Sequence, residues 1–177
     1  FEVFRRNKKI KALSFATNDH LESKEAHKQI SRKWKRAKYP LQAIFGNTYF
    51  SLTLMLKAMY GNLDTFGEKR FQKFGYETSE GYSGSVIVLK KDILEKIGMW
   101  DERIQAADFD LFNRIKEYAL ANEDIESLQL ALGIYFHHYQ RLTVKKEYPP
   151  FANVEQMIHL EDKWGERTQE LRKDIIC

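Results

Sequence analysis

Apolar and polar positions alternate with two different periods along this chain, and the switches between them mark its elements. Phe1 to Asn7 reads as the tail of a helix and Ile10 to Ala16 as a short apolar strand. Asn18 and Asp19 offer N-cap chemistry for a helix over Leu21 to Ala37, whose apolar stripe is Leu21, Ala26, Ile30, Trp34 and Ala37. Pro40 is expected to end that helix, leaving Leu41 to Phe45 as a strand. Tyr49 to Tyr60 is apolar enough for a buried helix, within a stretch from 46 to 82 that Gly61, Gly67, Gly75 and Gly81 otherwise break into loops. Ser85 to Leu89 predicts a strand, and Lys91 to Ile97 a short helix stopped by Gly98. Ala107 to Asn122 predicts a helix with Leu111, Phe112, Ile115, Tyr118 and Ala119 on one face. From Leu128 to Tyr139 the period is two, with Leu128, Leu130, Leu132, Ile134 and Phe136 on one side, which favours a strand. Pro149 and Pro150 open a charged helical region reaching Ile176.

Strands alternating with helices imply an α/β layer architecture. At 177 residues, 43% hydrophobic and 31% charged, the composition is that of a folded globular chain. The lone cysteine, Cys177, excludes an internal disulfide framework or a cysteine-rich zinc module. No apolar run approaches the roughly 18 residues that span a bilayer. The chain opens on Phe1 rather than Met, which reads as a processed or partial chain. Net charge is only +4, but the surplus is local. Between Leu21 and Lys38 stand Lys24, Lys28, Arg32, Lys33, Lys35, Arg36 and Lys38 against Glu22 and Glu25.

That basic helix admits a module binding nucleic acid, or another anionic polymer or surface, by charge alone. No helix-turn-helix, zinc-finger or RNA-recognition signature accompanies it, so nucleic acid is not the expected partner.

Two constellations carry chemistry. Asp108 lies at the start of a predicted helix and shares its face with Leu111, Phe112 and Ile115, while Asp110 points the other way. A carboxylate held ionised by the helix N-terminus and partly desolvated suits deprotonation of a hydroxyl, but from the residues alone a helix cap is the expected role, since capping aspartates far outnumber catalytic ones. His137 and His138 close the alternating strand and face opposite ways there. If Phe136 faces the core, His138 does too, and one imidazole at a strand end can ligate a metal or serve as a hydrogen-bonded structural residue.

The phrase Ile97-Gly98-Met99-Trp100-Asp101-Glu102, followed by Ala107-Asp108-Phe109-Asp110-Leu111 and Arg114, resembles the G-G-F-D-E and E-D-x-D-L-x-x-R motifs of family 2 glycosyltransferases. His137-His138 with Thr143 resembles the histidine near the end of that catalytic domain, and Asn153 to Lys163-Trp164-Gly165 a helix ending in K-W-G. The resemblance covers roughly Tyr82 to Gly165. It implies a Rossmann-like GT-A architecture, a mixed sheet flanked by helices, with residues 1–148 forming the acceptor-side part of the catalytic domain and 149–177 a charged helical extension. The implied activity is transfer of a sugar, with inversion, from a nucleotide-diphosphate donor to a hydroxyl of a glycan or lipid-linked acceptor, as in cell-surface polysaccharide synthesis. Asp108 would be the base. Gly84, Ser85, Trp100, Asp101, Asp110 and Arg114 would serve the substrate side, and His138 or His137 would sit near the diphosphate and its Mg²⁺ or Mn²⁺. Ala107 stands where the family has Glu. No Asp-x-Asp ends an apolar strand before Gly84, so the nucleotide-binding half is expected before residue 1. A cytoplasmic enzyme, peripheral at a membrane and self-associating through exposed sheet edge, is the corresponding expectation.

Overall fold

The computed structural model describes residues 1–139, 150, 152–173 and 175. Thr143, Pro149, Ile176 and Cys177 lie outside the described residues. The fold is α/β, a four-stranded mixed sheet flanked by helices. Its strands are β1 (Ala12–Thr17), β2 (Thr78–Glu80), β3 (Ile87–Leu89) and β4 (Gln129–Phe136), in the spatial order β2-β4-β1-β3. The two central strands, β1 and β4, run parallel, and each edge strand is antiparallel to its neighbour. Central parallel strands are covered on both faces, so they read as continuous apolar runs rather than alternating ones. Consecutive residues Gln129 to Gly133 are accordingly all buried.

The expected one-sided alternation of β4 fails for a second reason. Phe15 pairs with Ala131 but Ala16 pairs with Tyr135, so β4 bulges between them and its last residues change face. Ile134 and Phe136 are left exposed. The bulge is fixed by Gly133, where an added Cβ would fall 2.1 Å from the carbonyl oxygen of Gly75.

Three apolar clusters surround the sheet. Helices α5 (Lys91–Ile97) and α6 (Ala107–Asn122), with the bounds the sequence predicts, set Ile93, Leu111, Phe112 and Ile115 against Ala12, Tyr82 and Leu128. The short α1 (Glu2–Arg6) places Val3 and Phe4 against Leu13 and Ala131. Helices α2 (Lys24–Phe45) and α3 (Tyr49–Tyr60) form a hairpin around Ile30, Trp34, Ala37, Met55 and Met59.

Helix α2 departs from expectation at both ends. Its cap is Ser23, whose hydroxyl accepts from the Ala26 amide at 3.1 Å, and not Asn18 or Asp19. It also passes through Pro40 to Phe45, and no strand forms at 41–45. Leu41 extends the Ile30, Trp34, Ala37 stripe against α3, and that packing offsets the hydrogen bond a proline forfeits. Residues 46–82 likewise hold a second helix, α4 (Leu63–Phe74), which keeps Gly67 in its interior. Asn62 caps it, Phe66 packs on the rings of Tyr60 and Tyr135, and buried Arg70 donates to the Leu132 carbonyl at 2.8 Å.

The charged C-terminal region holds two short helices, α7 (Leu160–Trp164) and α8 (Arg167–Arg172), separated where Gly165 takes φ +51°. Leu160, Leu171 and Ile175 are buried, so this segment packs into the fold.

Candidate functional site

In open α/β sheets the loops beyond the carboxyl ends of parallel strands are where ligands gather. Strand β1 runs there into Asn18-Asp19, and β4 into His137-His138. Asn18 latches the two ends together. Its Oδ1 accepts from the His138 amide at 2.6 Å and its Nδ2 donates to the His138 carbonyl at 3.1 Å. The His138 ring, half-exposed, sets Nδ1 2.8 Å from Asp19 Oδ2.

His137 turns the opposite way, into the helical layer. Its Nδ1 lies 2.8 Å from the Tyr60 hydroxyl, which is 2.6 Å from that of Tyr135, and Trp34 and Tyr139 pack on its ring. Burial lowers the His137 pKa to about 4, so the ring is neutral at neutral pH. The same burial raises Tyr135 to about 12 and pushes Tyr60 further above the usual tyrosine range. The inward histidine is thus His137, not His138. The bulge in β4, which exposes Phe136, is the cause.

A hydroxyl ladder joins this strand end to the loop before β3. Ser14 Oγ accepts from the Ser83 amide at 2.7 Å, Thr17 Oγ1 lies 3.2 Å from Ser83 Oγ, and Ser83 Oγ lies 2.9 Å from Ser85 Oγ. Thr17 Oγ1 also accepts from the amides of Asp19 and His20. The next residue, Gly84, is packed directly on Asp108. A Cβ at Gly84 would fall 1.8 Å from Asp108 Oδ2 and 3.0 Å from its Cβ. Only glycine fits.

Asp108 occupies the first turn of α6, yet it is not the cap, which is Ala106 without a side-chain bond. Its carboxylate makes no hydrogen bond or ion pair with any described residue. It stands instead between two cavities. One, of about 510 Å³, is lined by Gly84, Ile87, Trp100, Gln105 and Ala107. The other, of about 590 Å³, is lined by Gln105, Phe109, Met157, His159 and Arg172 among others. Asp108 and Gln105 line both.

Two neighbouring aspartates, Asp101 and Asp110, are held by cations. Asp110 is fully buried and points away from Asp108 under α7. It accepts from Arg114 Nε at 2.9 Å, Lys163 Nζ at 2.8 Å and Trp164 Nε1 at 2.8 Å. Lys163 also lies 2.8 Å from Asp101, which a bidentate Arg103 holds from its other side at 2.9 Å. The Arg103 guanidinium, with Lys163 behind it, keeps the Asp101 carboxyl well below the usual carboxylate range. Arg114 Nη1 donates in turn to the carbonyls of Ile97, Gly98 and Met99 at 2.9–3.0 Å, which fastens the loop that presents Trp100 to the smaller cavity.

Gly84, Trp100 and Asp108 therefore meet at one cavity, with Ser85 beside it on the hydroxyl ladder. Asp101, Asp110 and Arg114 brace the frame, and His138 sits with Asp19 at the strand ends. Gln105, Ser83 and the latching role of Asn18 had no signal in the sequence, since each acts through partners distant along the chain.

Among the described residues no three His, Cys, Asp or Glu converge as a metal cluster. The Asp19–His138 pair does fit one imidazole ligand. A histidine that donates one ring nitrogen to a carboxylate presents the other to a metal, and the remaining positions would be taken by ligand oxygens and water. No protein-family model, curated protein or solved structure matches the chain.

Proposed function

We propose that this chain is the acceptor-side part of an inverting, nucleotide-sugar-dependent glycosyltransferase of GT-A type, with Asp108 as general base. The observation that carries the reading is the contrast among the three aspartates Asp101, Asp108 and Asp110. Asp101 and Asp110 are held by cations, whereas Asp108 is unengaged, half-buried, and placed where two cavities meet.

In this reading the acceptor hydroxyl enters the smaller cavity beside Trp100, and the missing side chain at Gly84 leaves room for the Asp108 carboxylate that meets it. The hydroxyl proton passes to the Asp108 carboxylate as the oxygen lone pair forms a bond to the anomeric carbon. On the opposite face the bond from that carbon to the diphosphate oxygen breaks, and the nucleoside diphosphate departs with the electron pair. A base so placed contributes about 10²–10⁴ in rate. Asp110 and Arg114 position it, because they fix the first turn of α6 and the Ile97–Met99 loop against each other. Mg²⁺ or Mn²⁺ at the Asp19–His138 end would supply neutralisation of charge on the leaving diphosphate.

The test is incubation of the full-length protein with UDP-, GDP- and dTDP-sugars, Mn²⁺ and a panel of glycan and lipid-linked acceptors. Release of nucleoside diphosphate that depends on an acceptor supports the reading. Absence of release from every donor, in a protein shown to be folded, overturns it.

A further inference from the structure

The hairpin of α2 and α3 carries a surface that the proposed chemistry does not use. Helix α2 is 22 residues long, about 33 Å at 1.5 Å per residue. Its inner stripe is buried against α3, but residues 43–50, AIFGNTYF, are exposed without a break. Ile44 is 72% exposed, Phe45 40%, Tyr49 87% and Phe50 57%, and Tyr39 one turn earlier is 63% exposed. Four large apolar side chains within seven residues of one projecting turn exceed the scattered exposure ordinary on a protein surface.

This tip is built, not frayed. Ser51 Oγ donates to the Gly46 carbonyl at 2.7 Å, Thr48 caps α3 through the Ser51 amide, and Gln42 bonds Asn47 across the turn. Phe45 and Phe50 pack edge to face with centroids 5.2 Å apart. The apolar groups are therefore held outward by a closed turn.

Charge around the tip is one-sided. Between Glu25 and Asp64 the chain has no acidic residue and seven Lys or Arg: Lys28, Arg32, Lys33, Lys35, Arg36, Lys38 and Lys57. Lys28, Arg32, Lys35 and Arg36 are exposed and follow one another at helical spacing, and Tyr39 and Ala43 continue the same face toward the tip. Lys38 on one arm and Lys57 on the other stand about 10–12 Å along their helices from the apolar turn. An apolar tip with a cationic collar at that depth matches the interfacial zone of a bilayer, where apolar groups sit about 5–10 Å deep beneath the headgroups.

We infer that the α2–α3 tip is an interfacial anchor for an anionic lipid surface. Charge complementarity selects this occupant. A second copy of the chain would bring two cationic collars face to face, and a nucleic acid would leave the apolar turn in water. No helix among the described residues is long and apolar enough to cross a membrane. The inference stands on the hairpin alone and does not depend on sugar transfer.

Flotation of the full-length protein with vesicles tests it, comparing phosphatidylcholine alone with equal parts phosphatidylcholine and phosphatidylglycerol. The parent should float with the anionic vesicles, and markedly less so at high salt. A tip variant, Ile44→Ser with Phe45→Ser, Tyr49→Ser and Phe50→Ser, should partition at least tenfold less. A collar variant, Arg36→Gln with Lys38→Gln and Lys57→Gln, should lose the preference for anionic lipid. Circular dichroism checks that both variants stay folded. Equal flotation of parent and tip variant overturns the inference. So does a parent that ignores vesicles but dimerises in sedimentation through the same tip residues, or one that binds RNA instead.

Discussion

Replacing Gly84 with alanine disturbs the proposed site at its tightest point. The new methyl carbon would stand 1.8 Å from Asp108 Oδ2, 2.6 Å from Cγ and 3.0 Å from Cβ. To reach an ordinary contact of roughly 3.5 Å the carboxylate oxygen must retreat by about 1.7 Å. Rotation about χ1 alone does not suffice, because Asp108 Cβ is itself too close, so the loop and the first turn of α6 must also part by a few tenths of an ångström. A displacement of about 1 Å at a reacting group costs about 10²-fold in rate. Stability should suffer less, about 1 kcal/mol at the low end of overpacking costs, since Gly84 is exposed and can yield. The assay is acceptor-dependent release of nucleoside diphosphate by the full-length protein, with thermal unfolding alongside. Gly84→Ala should lose about 10²-fold in kcat/KM with a Tm fall of only about 2–4 °C. If the methyl acts solely by displacing Asp108, Gly84→Ala added to Asp108→Asn should cause no further loss. Parent-like turnover by Gly84→Ala, or losses that simply multiply in the double variant, would refute the reasoning.

Two further changes probe the frame around the site. Lys163→Met removes the ammonium shared by Asp101 and Asp110, each of which keeps another cation, and Lys163 is about a quarter exposed. The expected cost is about 2 kcal/mol, read as a Tm drop of about 4–8 °C in calorimetry. A drop of under one degree would show that the cluster is not structural glue. His137 is packed by Trp34, Tyr60 and Tyr139, with Asp19 and His138 nearby, and its folded pKa of about 4 lies below the ordinary 6.5. Folding therefore favours the neutral ring, and the contribution to stability is full above pH 6.5 and lost as pH falls toward 4. Tm should decline across that window, and His137→Phe should flatten the decline. An NMR titration midpoint near 6.5 for His137 would contradict this assignment.

Where the physics was local, the sequence was readable. The bounds of α3, α5 and α6 follow from apolar spacing and from Gly61 and Gly98, which stop two of them. Where long-range packing decided, it was not. Pro40 looked like a terminus until Leu41 found α3, and Gly67 looked like a break until Phe66 and Arg70 found β4. The alternation of β4 concealed a bulge set by Gly133 meeting Gly75, and that bulge decides which histidine faces inward. The region of Asp108 was legible as a cluster of motif residues. The freedom of its carboxylate was not, because that depends on Lys163, Arg103 and Arg114 pairing with Asp101 and Asp110 instead.

Because Asp108 bears no bond to any described residue, it can be altered with little structural consequence. Single-turnover transfer from a nucleotide sugar by the full-length protein, parent against Asp108→Asn, is thus the most direct measurement of the account. A loss of about 10²–10⁴ in rate at unchanged Tm is predicted. Transfer at the parent rate by a folded Asp108→Asn protein would contradict it.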